Sequence, residues 1–290
     1  MRTYRYRILN VFAETTFGGN PLCVFEDGSG LGDAEMQALA IQFNLSETTF
    51  ILPSDSATAR MRIFTPGHEM PFAGHPTLGT SQVVRALSGS GDNLTLETLA
   101  GIVPVQARQD TWTLTAPGGG EPEVRAPALP AATIAAHLGL TAEDLLSEPC
   151  WLDTGAHQLV VPLKTADAVR RVRPDAARLD EWEVSKAGRR VAYVFAFDGR
   201  RDDGAERVVA RYFFVKPGGG VIEDPGTGSA CANLGGWCIA TDRALPLRAR
   251  VEQGDAVGRP CILGLDIATS REVRVSGRVL ELGKGTITLP

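Results

Sequence analysis

Two short turns each set an ionisable residue beside proline and glycine: His75-Pro76-Thr77-Leu78-Gly79 and Asp224-Pro225-Gly226-Thr227-Gly228. A histidine exchanges protons near neutral pH. A carboxylate can do the same once burial or a neighbouring anion raises its pKa. A third ionisable residue, Glu47, lies in Asn44-Leu45-Ser46-Glu47-Thr48-Thr49-Phe50, between an expected helix and an expected strand. Carboxylates and an imidazole converging on one small molecule are the equipment of general acid–base chemistry, the moving of a proton without a covalent intermediate.

A glycine-rich turn that opens a helix presents unpaired backbone N–H groups, and the helix dipole adds partial positive charge. Carboxylates and phosphates bind at such turns. With one turn in each half of the chain, both helix ends are expected to point into one cleft and hold a small anion. Read alone, Asp224 is an ordinary helix N-cap, and Glu47 alone reads equally as an exposed loop glutamate or as a carboxylate that reaches a cleft from the mouth of its turn. The matching of His75 with Asp224 favours the functional reading.

The elements around these turns repeat. Residues Ala59 to Phe64 alternate as a strand, break at Thr65-Pro66-Gly67, and lead to the His75 turn and a helical run from Thr77. Residues Ala210 to Lys216 alternate likewise, break at Pro217-Gly218-Gly219-Gly220, and lead to the Asp224 turn and a second helical run. Further segments match, such as the stretch through Phe17-Gly18-Gly19-Asn20-Pro21 and that through Thr154-Gly155-Ala156-His157. Two halves with one element order imply two lobes of one fold. The stretch Ala116 to Pro122, rich in Pro and Gly, is the linker candidate. The spacing predicts helices over Ala34 to Phe43 and Ala131 to Leu146. The C-terminus alternates from Val273 to Leu289 and reads as terminal strands around Gly283-Lys284-Gly285.

Composition narrows the partners. Of the 290 residues, 43% are hydrophobic and 22% charged, as in ordinary globular proteins, and the net charge of −5 gives no pull toward nucleic acid or an anionic membrane. No apolar run approaches the roughly 20 residues of a membrane span. The basic start, Arg2, Arg5 and Arg7, lacks the apolar core of a secretion signal, so a cytoplasmic location is expected. The five cysteines, Cys23, Cys150, Cys231, Cys238 and Cys261, show no CxxC spacing and read as reduced, buried thiols. His68-Glu69 and His75 do not form HExxH, and no Walker loop or GxGxxG is present, so neither a metal hydrolase nor a nucleotide site is expected.

Phe17-Gly18-Gly19-Asn20-Pro21, Ser46-Glu47-Thr48-Thr49-Phe50, Pro71-Phe72-Ala73-Gly74-His75-Pro76-Thr77-Leu78-Gly79 and Asp224-Pro225-Gly226-Thr227-Gly228-Ser229-Ala230 together resemble the PhzF-like phenazine-biosynthesis family. The resemblance runs in order from near Tyr6 to the C-terminus. It implies an α+β, diaminopimelate epimerase-like fold: two pseudo-symmetric lobes, each a curved, mostly antiparallel sheet around a central helix, with the active site between them. The N-terminal lobe is expected over residues 1–117 plus about 278–290, and the C-terminal lobe over 118–277.

The same resemblance implies an isomerase of the trans-2,3-dihydro-3-hydroxyanthranilate type, shifting a proton from C3 toward C1 and giving an enol that becomes a ketone. Glu47 is then the general acid/base, assisted by His75 and Asp224. Asn20, Ser46, Gly74, Gly226, Thr227, Gly228 and Ser229 contact a small anionic substrate. No metal, flavin or nucleotide is implied, and the assembly is a homodimer. An amino-acid epimerase or racemase of this fold is an alternative. Its two thiols would fall at Ala73 and Pro225, however, and neither residue can accept a proton. A non-catalytic small-molecule binding protein is the remaining alternative, because fold does not settle function.

Overall fold

The structure is a computed structural model that describes residues 1–290 apart from Gly119 and Pro217. Those two positions of the expected linker and strand break therefore lie outside the described residues. The chain divides into two compact units, Met1–Thr115 with Ser276–Pro290, and Ala116–Val275.

The first unit runs β1 (Arg2–Val11), β2 (Asn20–Phe25), α1 (Asp33–Phe43), β3 (Glu47–Leu52), β4 (Ala59–Phe64), β5 (Glu69–Met70), α2 (Gly74–Ser88), β6 (Asn93–Thr98), β7 (Gly101–Arg108) and β8 (Thr111–Thr115). Strand β2 lies antiparallel to β1 and parallel to β3, which pairs antiparallel with β4. β4 is antiparallel to β5 and parallel to β6. Alternation along the strands buries both faces. Thr49 points to α2, where its hydroxyl meets that of Thr80 at 2.8 Å. Its neighbour Phe50 points the other way, stacking on Phe25 at 4.8 Å in a cluster with Met36, Leu39 and Ala40 of α1. Burying one such aromatic side chain contributes about 1.5–3 kcal/mol.

Helix α2 is the central helix of this unit. Most of its first three turns are buried, polar residues included. They satisfy themselves locally: the Thr77 hydroxyl donates to the Ala73 carbonyl at 2.8 Å, and that of Ser81 to the Thr77 carbonyl at 2.7 Å. The helix begins at Gly74, three residues before the expected Thr77. Pro76 is tolerated there because first-turn N–H groups have no intrahelical partner.

The second unit runs β9 (Glu123–Arg125), α3 (Ala131–His137), β10 (Cys150–Asp153), β11 (His157–Pro162), α4 (Ala166–Arg171), β12 (Val191–Arg200), β13 (Glu206–Val215), β14 (Val221–Asp224), α5 (Gly228–Ala240), β15 (Leu247–Gln253) and β16 (Cys261–Ile267). The last strand, β17 (Val273–Leu289), starts here and continues into the first unit. The pairings repeat those above: β11 antiparallel to β10 and parallel to β12, β13 antiparallel to β12 and β14 and parallel to β15. Helix α5 is almost wholly buried, more completely than α2, whose last turn is exposed.

Register makes the repeat residue-specific. Arg62 faces Phe50 across β3–β4, and Arg211 faces Val194 across β12–β13. Each arginine grips a glutamate through two nitrogens: Arg62 holds Glu69 at 2.7 Å twice, and Arg211 holds Glu223 at 3.0 and 2.6 Å. Each also lies over the phenylalanine two residues on, Phe64 at 5.0 Å and Phe213 at 4.8 Å.

Two expectations change. Helix α3 stops at His137 rather than running to Leu146, because Gly139 takes a left-handed turn at φ 72° and Leu140 N–H returns to the Ala135 carbonyl. Gly283-Lys284-Gly285 is not a turn: β17 runs through it, antiparallel to β1. Gly285 sits opposite Tyr6, and a Cβ there would come within 2.6 Å of the Tyr6 hydroxyl. Space, not turning, is what that glycine supplies.

Candidate active site

In the first unit the expected residues meet at the start of α2. The chain leaves β1 through Phe12, buried and held at φ 61°, and re-enters β2 through Gly19 at φ 80°. A Cβ on Gly19 would lie 2.6 Å from the Ala13 Cβ and 2.7 Å from the Val11 carbonyl. This tight return places Asn20 at the head of β2, wholly buried. Parallel pairing sets Leu22 beside Glu47, so Glu47 heads β3 on the same edge.

His75 is the second residue of α2 and lies between these strand ends. Its Nδ1 stands 3.4 Å from Asn20 Nδ2, and its Nε2 stands 3.4 Å from Glu47 Oε2. Ser46 Oγ reaches Asn20 Oδ1 at 3.4 Å. These separations exceed those of well-formed hydrogen bonds, so the contacts are loose. Gly74, the first helical residue, follows Ala73, which has no side chain to cap the helix. Gly79 sets the depth of the helix: a Cβ there would come within 2.5 Å of Leu22 and 3.0 Å of Val11.

Burial pushes the His75 imidazole down to about 3, against the opposing effect of a hydrogen bond to the Pro21 backbone. The ring is therefore neutral at neutral pH. Its contact with Glu47 is that of a buried imidazole with a largely buried carboxyl group.

In the second unit Asp224 ends β14 and accepts a short hydrogen bond from the Thr227 hydroxyl. Gln253, buried at the end of β15, donates to the Asp224 carbonyl at 2.8 Å and to Thr227 Oγ1 at 3.0 Å. Thr227 precedes Gly228, the first residue of α5, and Gly226 is buried in the turn before it. Ser229, half-buried in the first turn, accepts from Gln158 Nε2 at 3.0 Å.

The helix starts correct the expected correspondence. Helix α2 begins at Gly74 and α5 at Gly228, so His75 matches Ser229. Asp224 matches Met70, since Met70 pairs with Ile63 and Asp224 with Tyr212, one residue beyond the matched arginines. The shared letters, an ionisable residue then Pro-x-x-Gly, misled because Gly79 is a mid-helix packing residue and Gly228 a helix start. By the same register the residue opposite Ala73 is Thr227, not Pro225. Neither carries a thiol.

Gln253, Gln158, Asn233 and Thr154 were not singled out from the sequence. A signal existed: Gln253 sits on the buried phase of an alternating strand, and Asn233 interrupts a run of small and apolar helical residues. The other histidines stand in separate settings. His68 is in the turn after β4, bonded to Thr65, and His137 is buried against Glu181 at 3.2 Å. His157 stacks on Trp151 at 4.6 Å, its imidazole lowered chiefly by burial. Four cysteines are buried and Cys150 is half-buried; burial pushes Cys150 up to about 11 and Cys238 up to about 12, leaving inert thiols. Among the described residues no group of three His, Cys, Asp or Glu could hold a metal, and no helix is long and apolar enough to cross a membrane.

Residues 9–286 match the family described as phenazine biosynthesis-like protein. The chain is 38% identical, over 99% of its length and 95% of the relative's, to an uncharacterized isomerase of Pasteurella multocida. It is 33% identical, over 99% and 100%, to the trans-2,3-dihydro-3-hydroxyanthranilate isomerase of Pseudomonas fluorescens. A Bacillus anthracis phenazine biosynthesis protein of the PhzF family superposes with a TM-score of 0.83 at 25% identity, covering both chains fully. A hydroxyproline epimerase from Agrobacterium vitis, 14% identical with a TM-score of 0.58 over 99% and 93%, shares the fold alone. The class is thus an α+β isomerase of epimerase-like fold. Within it, the chain belongs to the phenazine biosynthesis-like protein family.

Proposed function

We propose that this isomerase moves a proton between carbons of a small carboxylate-bearing substrate, with Glu47 as the acid/base, and that trans-2,3-dihydro-3-hydroxyanthranilate is the type of substrate. The observation that carries the reading is the Glu47 carboxylate, largely buried at the head of β3, set against the His75 ring at the uncapped start of α2. Glu47 takes a proton from the substrate carbon, leaving the electron pair delocalised into the adjacent unsaturated system. The resulting carboxylic acid returns the proton to another carbon on the same face and regenerates the carboxylate. Atoms and charge balance without a co-reactant, so the reading calls for no metal or cofactor.

His75, neutral, serves as a positioning partner: it keeps the carboxylate in place without neutralising it as an imidazolium would. First-turn N–H groups at Gly74 and Gly228 suit the substrate's anionic group. Asn20 and Ser46 complete the proposed set in the first unit; in the second unit the proposed substrate contacts are Gly226, Thr227 and Ser229, with Asp224 assisting the proton transfer. The fluorescens relative bears the name of this reaction, which supports the substrate class. A homodimer is part of the proposal, and sedimentation velocity tests it.

The deciding experiment is proton NMR of metal-stripped protein with trans-2,3-dihydro-3-hydroxyanthranilate in deuterated water, with Glu47→Gln alongside. Isomerisation by wild type and its loss in the variant are expected. Equal turnover by Glu47→Gln would remove Glu47 from the chemistry. No turnover by wild type would exclude this substrate.

A further inference from the structure

Ser229 is the last member of a chain of hydrogen bonds whose direction can be read from one end. The Thr154 backbone N–H can only donate, and it donates to Asn233 Oδ1 at 3.0 Å. That fixes which end of the Asn233 amide is oxygen. The Thr154 hydroxyl donates to the same oxygen at 2.8 Å. Asn233 Nδ2 is then the donor, giving one hydrogen to the Ala156 carbonyl and one to Gln158 Oε1, both at 2.8 Å. Gln158 in turn must present Nε2 at its other corner, where it meets Ser229 Oγ at 3.0 Å and the Tyr212 hydroxyl at 3.4 Å. Thr154, Gln158 and Asn233 are each at least 95% buried, so water does not compete for these groups. Each polar atom of both amides has a partner.

We propose, resting on the reading of Ser229 as a substrate contact, that Asn233 acts through Gln158 as a positioning residue: it keeps Ser229 from donating inward, so that the hydroxyl proton is available to an acceptor oxygen of the bound anion. With its oxygen already accepting from Gln158, the half-buried Ser229 has its own proton free for a ligand. The first unit shows that the scaffold does not need this network. At the matching position on α2 stands Gly79, packed directly on Leu22 and Val11. Gln158 and Thr154 hold the places of those two residues, since Leu9 pairs with Leu22 and Leu152 with Gln158. One scaffold closes with bare apolar contact; the other carries a directed amide relay ending at the helix start.

Neutron diffraction from deuterium-exchanged wild-type crystals tests the direction whatever the substrate. Deuterium on Gln158 Nε2 aimed at Ser229 Oγ, with the Ser229 deuterium turned away, is expected. A Ser229 deuterium aimed at Gln158 would overturn the proposal. Kinetics with trans-2,3-dihydro-3-hydroxyanthranilate, and calorimetric binding of anthranilate, test the use. Gln158→Glu, and independently Asn233→Asp, force Ser229 to donate inward and should raise KM about tenfold to a hundredfold with kcat nearly kept, as Ser229→Ala does. Gln158→Met frees the hydroxyl to rotate and should cost only about two- to fivefold. Ser229→Ala added to Gln158→Glu should cost nothing more. If the two losses multiply, or if Glu and Met behave alike, the relay does not act through Ser229. Wild type that neither turns over the first compound nor binds the second would sink the functional reading, while the neutron map would still decide the direction of the relay.

Discussion

The two units share strand pairings, a buried central helix and an arginine–glutamate–phenylalanine cluster, yet they place different chemistry at the head of that helix. In the first, His75 faces Glu47 and Asn20. In the second, Ser229 fills the place of His75, Ala156 that of Asn20 and Val191 that of Glu47, by the registers Val24–Thr49 and Val160–Tyr193. The proposed acid/base pair therefore lies in the first unit, and the second unit has hydroxyls, a chain of amide hydrogen bonds and Asp224 at the matching places. The two units share the strand pairings around the central helix and differ in the side chains buried at its start.

The sharpest break in the comparison is at Glu47. Glu47→Gln keeps size and burial and should lower kcat by about 10²–10⁴-fold, with the melting temperature unchanged. Conservative changes at Asp224, such as Asp224→Asn, should cost less if the proton transfer is one-sided. An equal loss would make the units partners in the chemistry.

The shared clusters should differ in stability. Arg211 and Glu223 are about 10% and 8% exposed, and Arg211 also donates to the Val172 carbonyl at 2.8 Å, tying down the end of α4. Glu223→Ala strands a buried cation and should cost about 3–5 kcal/mol in denaturant unfolding. Arg62 and Glu69 are 15% and 22% exposed, with Asp33 at the start of α1 as a further partner at 2.7 Å. Glu69→Ala should cost only about 1 kcal/mol. Equal losses would show that burial is not what separates the two.

His75 gives the first unit a pH dependence that Ser229 cannot give the second. Its folded pKa, about 3, lies below the ordinary histidine value near 6.5. Between those values the unfolded chain binds the proton and the folded chain does not. Stability is complete above about pH 6.5 and falls as pH drops toward 3, by up to about 1.4 kcal/mol per pH unit. Urea unfolding at pH 7 and pH 5 should show this slope in wild type and its loss in His75→Gln; a slope kept in the variant would assign it to other groups.

Gly79 sharpens the packing side of the comparison. Gly79→Ala pushes against Leu22 and Val11 and should cost about 1–3 kcal/mol, with the loss shrinking in a Gly79→Ala, Leu22→Val background.

Much of this was legible in the residues. The repeat, the strands flanking each turn and the helices after them follow from alternation, breakers and residue type, while the acid/base role proposed for Glu47 came from the family resemblance. The pairing of His75 with Asp224 was not, because a sequence offers letters in order and not the residue at which a helix starts. Gly283-Lys284-Gly285 failed for a related reason: a glycine that turns the chain and one that clears room for Tyr6 look the same until the opposite strand is known.

By itself, then, the sequence determined the family, the doubled α+β architecture and the residue types able to move a proton, since these depend on local pattern and on motifs carried in order. Only the tertiary structure decided that His75 is buried, that Ser229 and not Asp224 is its counterpart, and that Asn233 is hydrogen-bonded through Gln158 to Ser229. Each of those depends on burial, register or hydrogen-bond direction, which arise when strands distant in the chain close around a helix.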